Sequence, residues 1–371
     1  MKTINIAVIG AGWIGDIHCE CYTRVIPMIR EAKIHLHTVA DIYEPNAVKA
    51  KNKYGFERHV TDWREAVLNP EIDLIDICVD NKFHREIATE AFNNGKHVFC
   101  EKPLASDLEE AELMEKEAQE SGMINVIDFN YRKVPALAQI KQLIDAGALG
   151  KIYHIKGMFL QDFGFTSPMT WRFKKEQSGG GSIITMGAHV IDAVRFLAGE
   201  VEEVSALGQT FIEEREIPGT GKRDTCDVDD AMTVLLKFKS GAIGMLMTSW
   251  LSHGCKHHHE IEIYGEKGSA RFNSERLNEI ELFLEDDNPA LNGKRTILMG
   301  AGNPYGDMFN LKTGMGIGIK ESFTIQIRDM LSAIIHHEKG SPSFSDGVMT
   351  ERISSAIIKA ADTHQWVKVG E

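Results

Sequence analysis

Residues 4–15 read Ile-Asn-Ile-Ala-Val-Ile-Gly-Ala-Gly-Trp-Ile-Gly, an apolar run that ends in glycines at positions 10, 12 and 15. This G-x-G-x-x-G spacing, directly after a strand-like segment and at the mouth of a helical pattern, admits few folds. Gly10 allows a tight turn, Gly12 lets the main chain approach a pyrophosphate, and Gly15 permits close packing of the helix. The first turn of that helix, with Trp13 and Ile14 between the glycines, offers unpaired backbone N–H groups to an anion. A dinucleotide site over Gly10, Gly12, Trp13, Ile14 and Gly15 is therefore expected. Asp41 ends the second strand, where a carboxylate accepts the adenosine ribose hydroxyl and repels a 2′-phosphate. NAD is expected as cofactor, in preference to NADP.

The first third of the chain continues the same alternation. Strands are expected at residues 4–9, 36–40, 74–79, 97–100 and 125–129, and helices at 14–25, 61–68, 85–94 and 108–121, with Gly95 and Gly122 as stops. Apolar strands alternating with amphipathic helices imply a parallel, doubly wound sheet buried on both faces. After Tyr131 the texture changes. A helix near 136–146 leads into a long strand-like run at 151–163 and several alternating segments between 201 and 284, which imply a mostly antiparallel sheet. Helical patterns return near 321–338 and 346–363, and the Gly- and Asn-rich stretch 288–318 reads as a long excursion. At 371 residues the chain exceeds what one hydrophobic core usually serves. The expectation is an α/β Rossmann domain over 1–130, then an α+β domain with a large, open, mostly antiparallel sheet over 131–371.

Charge narrows the partners. Lys and Arg total 41 against 54 Asp and Glu, a formal charge of −13 that repels phosphate backbones and anionic membrane surfaces. No stretch approaches the roughly 18 apolar residues of a membrane span. Cys19, Cys21, Cys78, Cys100, Cys226 and Cys255 are scattered, without disulfide-framework or paired C-x-x-C zinc spacing. Neither nucleic acid nor membrane is an expected partner, and a reducing cytoplasm fits.

Three further segments carry a family signature: Val79-Asp80-Asn81-Lys82-Phe83-His84, then Glu101-Lys102-Pro103-Leu104 after the fifth strand, then Gly179-Gly180-Gly181 through His189 and Asp192. With them, essentially the whole chain resembles the glucose–fructose oxidoreductase, inositol dehydrogenase and MocA family. The resemblance implies a sugar or cyclitol dehydrogenase, an active site between the two domains, and an open sheet used for homodimer or homotetramer contacts. It implies that Lys102 reaches both nicotinamide ribose and substrate, with Glu101 and Pro103 shaping its turn and Asn81 and His84 on the nicotinamide side. An X-Pro bond tolerates the cis isomer, which makes Pro103 a device for aiming Lys102.

Oxidising a secondary alcohol requires loss of the hydroxyl proton as hydride leaves the carbinol carbon, so a base and a positive group should meet the oxygen. The family motif points to His189 as base, since imidazole exchanges a proton near neutral pH. Lys102 would orient the hydroxyl and stabilise developing alkoxide. Asp192, three residues on, is expected to be structural. The related dehydrogenases usually carry Asp four residues before the histidine; here that residue is Thr185, whose hydroxyl supplies no charge. Proton abstraction then rests on His189 alone, or involves Lys102, Tyr131 or Asp162. Asn130, Tyr131, Arg132, Asp162, Trp171, Arg172 and Thr185 complete the expected substrate contacts, offering donors and an aromatic wall to a polyhydroxylated ligand.

The tract His257-His258-His259 suggests zinc, but adjacent residues of an extended segment face opposite ways and no cysteine pair completes a site. No metal is expected, and the tract is assigned to a substrate or oligomer loop. Two alternatives to net oxidation remain: a redox-neutral cleaving or eliminating enzyme that recycles bound NAD, and a non-catalytic NAD-binding regulator.

Overall fold

The computed structural model describes residues 2–285, 288–309 and 312–370. It divides into two compact units, Met1–Asn130 with Ile319–Glu351, and Tyr131–Gly318 with Arg352–Glu371.

The first unit is built on a parallel six-stranded sheet of β1 (Lys2–Ile9), β2 (Ala32–Ala40), β3 (Arg58–Val60), β4 (Leu74–Ile77), β5 (His97–Cys100) and β6 (Asn125–Ile127), in the order β3-β2-β1-β4-β5-β6. The order reverses direction between β1 and β4, the switch point at which doubly wound sheets bind ligands. The helices are α1 (Trp13–Val25), α2 (Glu44–Tyr54), α3 (Arg64–Val67), α4 (His84–Asn93) and α5 (Leu108–Ser121). The Asp107 side chain caps α5 by accepting from the Glu110 amide at 2.9 Å. β5 and α5 fall on the expected residues, and the doubly wound α/β reading holds. The sequence reading had no counterpart for β3 or α2; α2 is mostly polar and buries only Ala47 and Ala50.

The expected division put all of 131–371 together, whereas Ile319–Glu351 joins the first unit. The reason is packing: Phe323, Ile327, Met330, Leu331 and Ile334 lie on one side of α10 (Ile319–His336) and enter the same apolar core as Ile17, Cys21 and Val25 of α1. The chain then returns to the sheet edge, where the Ile127 amide donates to the Pro342 carbonyl at 3.0 Å.

The second unit carries α6 (Pro135–Asp145), the short α7 (Lys175–Ser178) and α8 (Ser182–Thr185), and α9 (Gly187–Ala198). It is built on a nine-stranded sheet and a β9–β10 hairpin (Glu214–Glu216, Arg223–Thr225). The sheet runs β16 (Arg295–Leu298), β15 (Glu279–Leu284), β14 (Gly268–Asn273), β13 (His258–Gly265), β7 (Ile152–Leu160), β12 (Ile243–Ser249), β11 (Ala231–Phe238), β8 (Val201–Gln209), β17 (Val367–Lys368). Among the described residues of this sheet only β7 and β12 pair in parallel, so it is mostly antiparallel, as expected. α9 packs on β7, β12 and β13, and α6 on β14 and β15. Strand β11 alternates buried and exposed residues, the signature of a sheet covered on one face. Within the expected excursion 288–318, residues 295–298 form β16, and residues 310 and 311 lie outside the described ones. α11 (Phe344–Thr363) starts in the first unit and ends in the second. Among the described residues, no single helix is long and apolar enough to cross a membrane.

Candidate active site

At the end of β1 the main chain turns through Gly10, whose φ of +95° is a left-handed value, and a Cβ there would sit 2.4 Å from the Cys78 carbonyl oxygen. A Cβ on Gly15 would come within 1.9 Å of the Gly10 carbonyl oxygen, whereas one on Gly12 meets nothing within 4 Å. Two of the glycines are thus required by packing, and the third faces open space at the N-terminus of α1, where no side chain caps the helix. That combination of open space and uncapped N–H groups fits a pyrophosphate. Asp41 follows β2. One oxygen accepts from the Ala11 amide and the other from the Tyr43 amide, each at 2.8 Å, so the carboxylate is fixed beside the glycine turn. Trp13, Ile42 and Tyr43 present large apolar surfaces around it, with Ile42 94% exposed. Ile14 is partly buried against the α1 core.

Behind this turn lies a buried ionic group that the sequence reading missed. His18, one turn beyond Gly15, is fully buried, with its Nδ1 at 3.0 and 3.1 Å from the two oxygens of Asp76 on β4. Its Nε2 is 3.2 Å from Oε1 of Glu101 and 3.3 Å from Oδ2 of Asp128. Burial opposes charge on this ring, but the carboxylates of Asp76 and Asp128 outweigh it and hold the imidazole well above its ordinary value. Burial pushes the Asp128 carboxyl up to about 7, while the bond from His18 overcomes burial and keeps Glu101 below the usual carboxylate range. Two triads here, His18–Asp76–Cys78 and His18–Glu101–Asp128, have the donor spacing of a metal site. A doubly protonated ring spends both nitrogens on carboxylates and leaves no lone pair for a cation.

Glu101 connects this group to the segment after β5. Its Oε2 accepts from the Lys102 amide at 3.0 Å, and the next peptide bond, Lys102–Pro103, is cis. His84, expected beside nicotinamide, is buried beneath that segment. Its Nδ1 faces the Pro103 and Leu104 carbonyls at 3.0 and 3.2 Å, and its Nε2 the Val79 carbonyl at 3.0 Å, so the ring braces the turn. Burial lowers its basicity. Asn81 is also buried and donates to the Ala105 carbonyl at 3.3 Å. Asn130 donates to the Ser322 hydroxyl at 2.9 Å, which ties it to α10.

In the second unit the expected residues separate into two groups. Tyr131 and His189 come together, with ring centroids 5.1 Å apart and edge to face, and Phe159 stands 6.0 Å from His189. His189 lies in the first turn of α9, its amide bonded to the Met186 carbonyl at 3.2 Å. The Tyr131 hydroxyl is 2.6 Å from Nε2 of His257, and the Gln161 amide is 2.9 Å from Nδ1 of the same ring. Burial pushes the Tyr131 phenol well above its ordinary value. Gln161 and Phe159 were not singled out in the sequence, although both lie in or next to the strand-like run 151–163.

The remaining residues stand elsewhere. Arg132 is buried and engages both oxygens of Asp192, Nε to Oδ2 at 2.9 Å and NH2 to Oδ1 at 2.5 Å, which gives it a structural task in place of the expected substrate contact. Asp162 accepts from Lys256 at 2.5 Å, the main reason its carboxyl is held below the usual carboxylate range. Arg172 stacks on Trp171 at 4.7 Å, and Thr185 ends α8. The histidine tract divides as an extended segment should. His258 bonds Glu275 at 3.1 Å, whereas His259 is fully buried edge-on to Tyr131 at 4.4 Å. Neither nitrogen of His259 has a hydrogen-bond partner, and burial brings its basicity down to about 3.

Comparison with known proteins agrees with both halves. Residues 4–129 match the family described as "Oxidoreductase family, NAD-binding Rossmann fold", and residues 137–271 match "GFO/IDH/MocA C-terminal domain". The chain belongs to the GFO/IDH/MocA oxidoreductase family. It is 35% identical to levoglucosan dehydrogenase of Pseudarthrobacter phenanthrenivorans over 100% of this chain and 99% of the relative. It is 29% identical to myo-inositol 2-dehydrogenase of Thermotoga maritima over 99% of each. A solved levoglucosan dehydrogenase in complex with NADH and levoglucosan superposes with a TM-score of 0.95 at 34% identity, covering 100% of both chains. As a GFO/IDH/MocA member the protein is an NAD-dependent dehydrogenase acting on CH–OH donors.

Proposed function

We propose that this chain oxidises a ring hydroxyl of a sugar, cyclitol or anhydrosugar, with Lys102 and His189 acting on that hydroxyl. The observation that carries the reading is the full-length similarity to a levoglucosan dehydrogenase. NAD, when bound, supplies the hydride acceptor. The chain's own residues do the rest. Gly10, Gly12 and Gly15 hold the pyrophosphate against α1, and Asp41 takes the ribose hydroxyls. Lys102 orients the reacting hydroxyl and offsets the negative charge that grows on its oxygen. His189 accepts the hydroxyl proton. Tyr131, His257 and Gln161 offer donors and acceptors to the other hydroxyls, against the apolar wall of Phe159. Thr185 has no charge to lend His189.

The test is initial-rate NADH formation with NAD or NADP against inositols, pyranoses, anhydrosugars and glycosides, with substrate loss followed in parallel. NADH formation with one ring alcohol is expected, and Lys102→Met is expected to lower kcat about a thousandfold while NAD still binds. Substrate loss without NADH would replace this reading by the redox-neutral one. Turnover unchanged in Lys102→Met would remove Lys102 from the chemistry.

The exposed sheet face, with Tyr153, Leu207, Leu235, Ile243 and Met245 outward, is read as a contact between copies of the chain. Light scattering that gives a monomer at micromolar concentration would refute this. All six cysteines are free thiols, which suits the reducing cytoplasm, and co-fractionation with a cytosolic marker checks it.

A further inference from the structure

The mechanism above uses Lys102 but leaves unexplained why a histidine and three carboxylates are buried behind it. His18 and Asp76 are fully buried, and Asp128 is nearly so. A buried ion group of this kind is a weak contributor to stability, because desolvation offsets the Coulomb gain. Its geometry is specific. Asp76 holds both its oxygens on Nδ1 of His18, which fixes the ring, and the opposite nitrogen then faces Glu101 and Asp128. Phe99 stacks on the ring at 5.2 Å and Phe323 of α10 closes it at 5.6 Å, leaving it one orientation. Glu101 is held at both ends, by His18 on Oε1 and by the Lys102 amide on Oε2. The other titratable groups around the ring are Cys19, Cys21 and Tyr22 on α1, Cys78 after β4 and Cys100 on β5. Burial raises all five, so each is neutral.

We propose that His18 is a positioning residue for Lys102: clamped by Asp76, its ring fixes the Glu101 carboxylate, whose other oxygen holds the Lys102 backbone at the end of β5. The inference rests on the catalytic reading of Lys102. It makes the helix of the cofactor turn, three residues past Gly15, part of the support for the catalytic lysine. A cation at position 18 is required, since without it Asp76, Glu101 and Asp128 face one another and Glu101 turns away or protonates. A misplacement of the reacting group on the order of 1 Å costs up to about a hundredfold in rate.

The experiment is a kinetic cycle on the full-length protein with the best substrate of the panel and NAD. His18→Gln removes the cation. His18→Gln with Asp128→Asn removes one cation and one carboxylate, and serves if the single variant fails to fold. Each is also made on Lys102→Met, and NAD affinity is measured by calorimetry. The folded variant is expected to lose at least about tenfold in kcat, with the dissociation constant for NAD within about threefold of wild type. On the Lys102→Met background the same change is expected to cost less than about twofold, because the group it positions is gone. Wild-type kcat in the folded double variant, or an equal loss on both backgrounds, would overturn the proposal while leaving Lys102 catalytic. Full turnover in Lys102→Met alone would instead sink the catalytic reading, and the proposal with it.

Discussion

His18 and His259 are both completely buried, and they carry opposite charge states. In the first unit His18 sits among Asp76, Glu101 and Asp128 and is held protonated. In the second, His259 sits among Tyr131, Phe159 and Phe272, with no acceptor for either nitrogen, and is held neutral down to about pH 3. Burial acts on both in the same direction, so the difference comes entirely from the partners. One ring is an electrostatic fixture that needs its charge; the other is used as a flat aromatic slab. The two units therefore support the side chains proposed to act on substrate by different means, a fixed ion group behind Lys102 and close aromatic packing behind Tyr131 and His189.

The contrast is most severely tested by removing each ring. His18→Leu leaves the carboxylates without their cation, and a loss of about 3–5 kcal/mol in urea unfolding is expected. A loss below about 1 kcal/mol would mean that the group is not charged as described.

The second test is the pH dependence of unfolding. The folded pKa of His18 is raised, so its stabilisation is present below the unfolded value near 6.5 and is lost as pH rises through the folded one. That of His259 is depressed from 6.5 to about 3, so its neutral form favours folding above 6.5, and that contribution is lost as pH falls toward 3. Asp128, raised from 3.8 to about 7, adds a loss of stability as pH rises over that window. Each group contributes a slope of up to about 1.4 kcal/mol per pH unit. The two windows overlap with opposite sign, so between about pH 4 and 6.5 His259→Leu should make stability fall more steeply as pH rises, and Asp128→Asn should tilt it toward a rise. Slope changes of the opposite sign would reverse the assignment of charges.

A smaller effect is expected in the second unit's polar edge. Tyr131→Phe removes the hydroxyl from His257 and should lower kcat/KM by about five- to tenfold, close to one neutral hydrogen bond, with NAD affinity unchanged. An unaltered kcat/KM would take Tyr131 out of the substrate contacts. The smallest change belongs to His259→Leu at pH 7. No hydrogen bond is lost and an unsatisfied polar ring is replaced by an apolar side chain, so stability should stay within about 1 kcal/mol of wild type.

Local patterns made much of the first unit legible. The glycine spacing located the turn between β1 and α1, and α5 runs over the expected residues up to the expected stop at Gly122. α2 was not visible because its sequence, Glu-Pro-Asn-Ala-Val-Lys-Ala-Lys-Asn-Lys-Tyr, carries almost no apolar stripe. The apolar stripe of α10 was visible, but a stripe does not say which core it enters. His18 illustrates the harder limit. Its partners Asp76 and Glu101 lie 58 and 83 residues away, and nothing in the spacing of single polar residues in buried strands relates them. The pairing of Arg132, expected among the substrate contacts, was hidden for the same reason, since Asp192 is 60 residues on. The segment around His257 stood out by composition, but its task depended on Tyr131, 126 residues earlier.

The return of Ile319–Glu351 to the nucleotide-binding unit sets an order on how the protein is made. Synthesis proceeds from the N-terminus, and a domain completes itself only when all its parts have left the ribosome. The six sheet strands emerge within the first 130 residues, but the apolar surface that α1 turns toward Phe323, Ile327 and Met330 waits for α10. The second unit's large sheet is translated in between. The nascent cofactor domain thus spends the translation of nearly 190 residues, 131–318, with an uncovered flank, and a gene fragment ending at residue 130 would leave that flank uncovered for good.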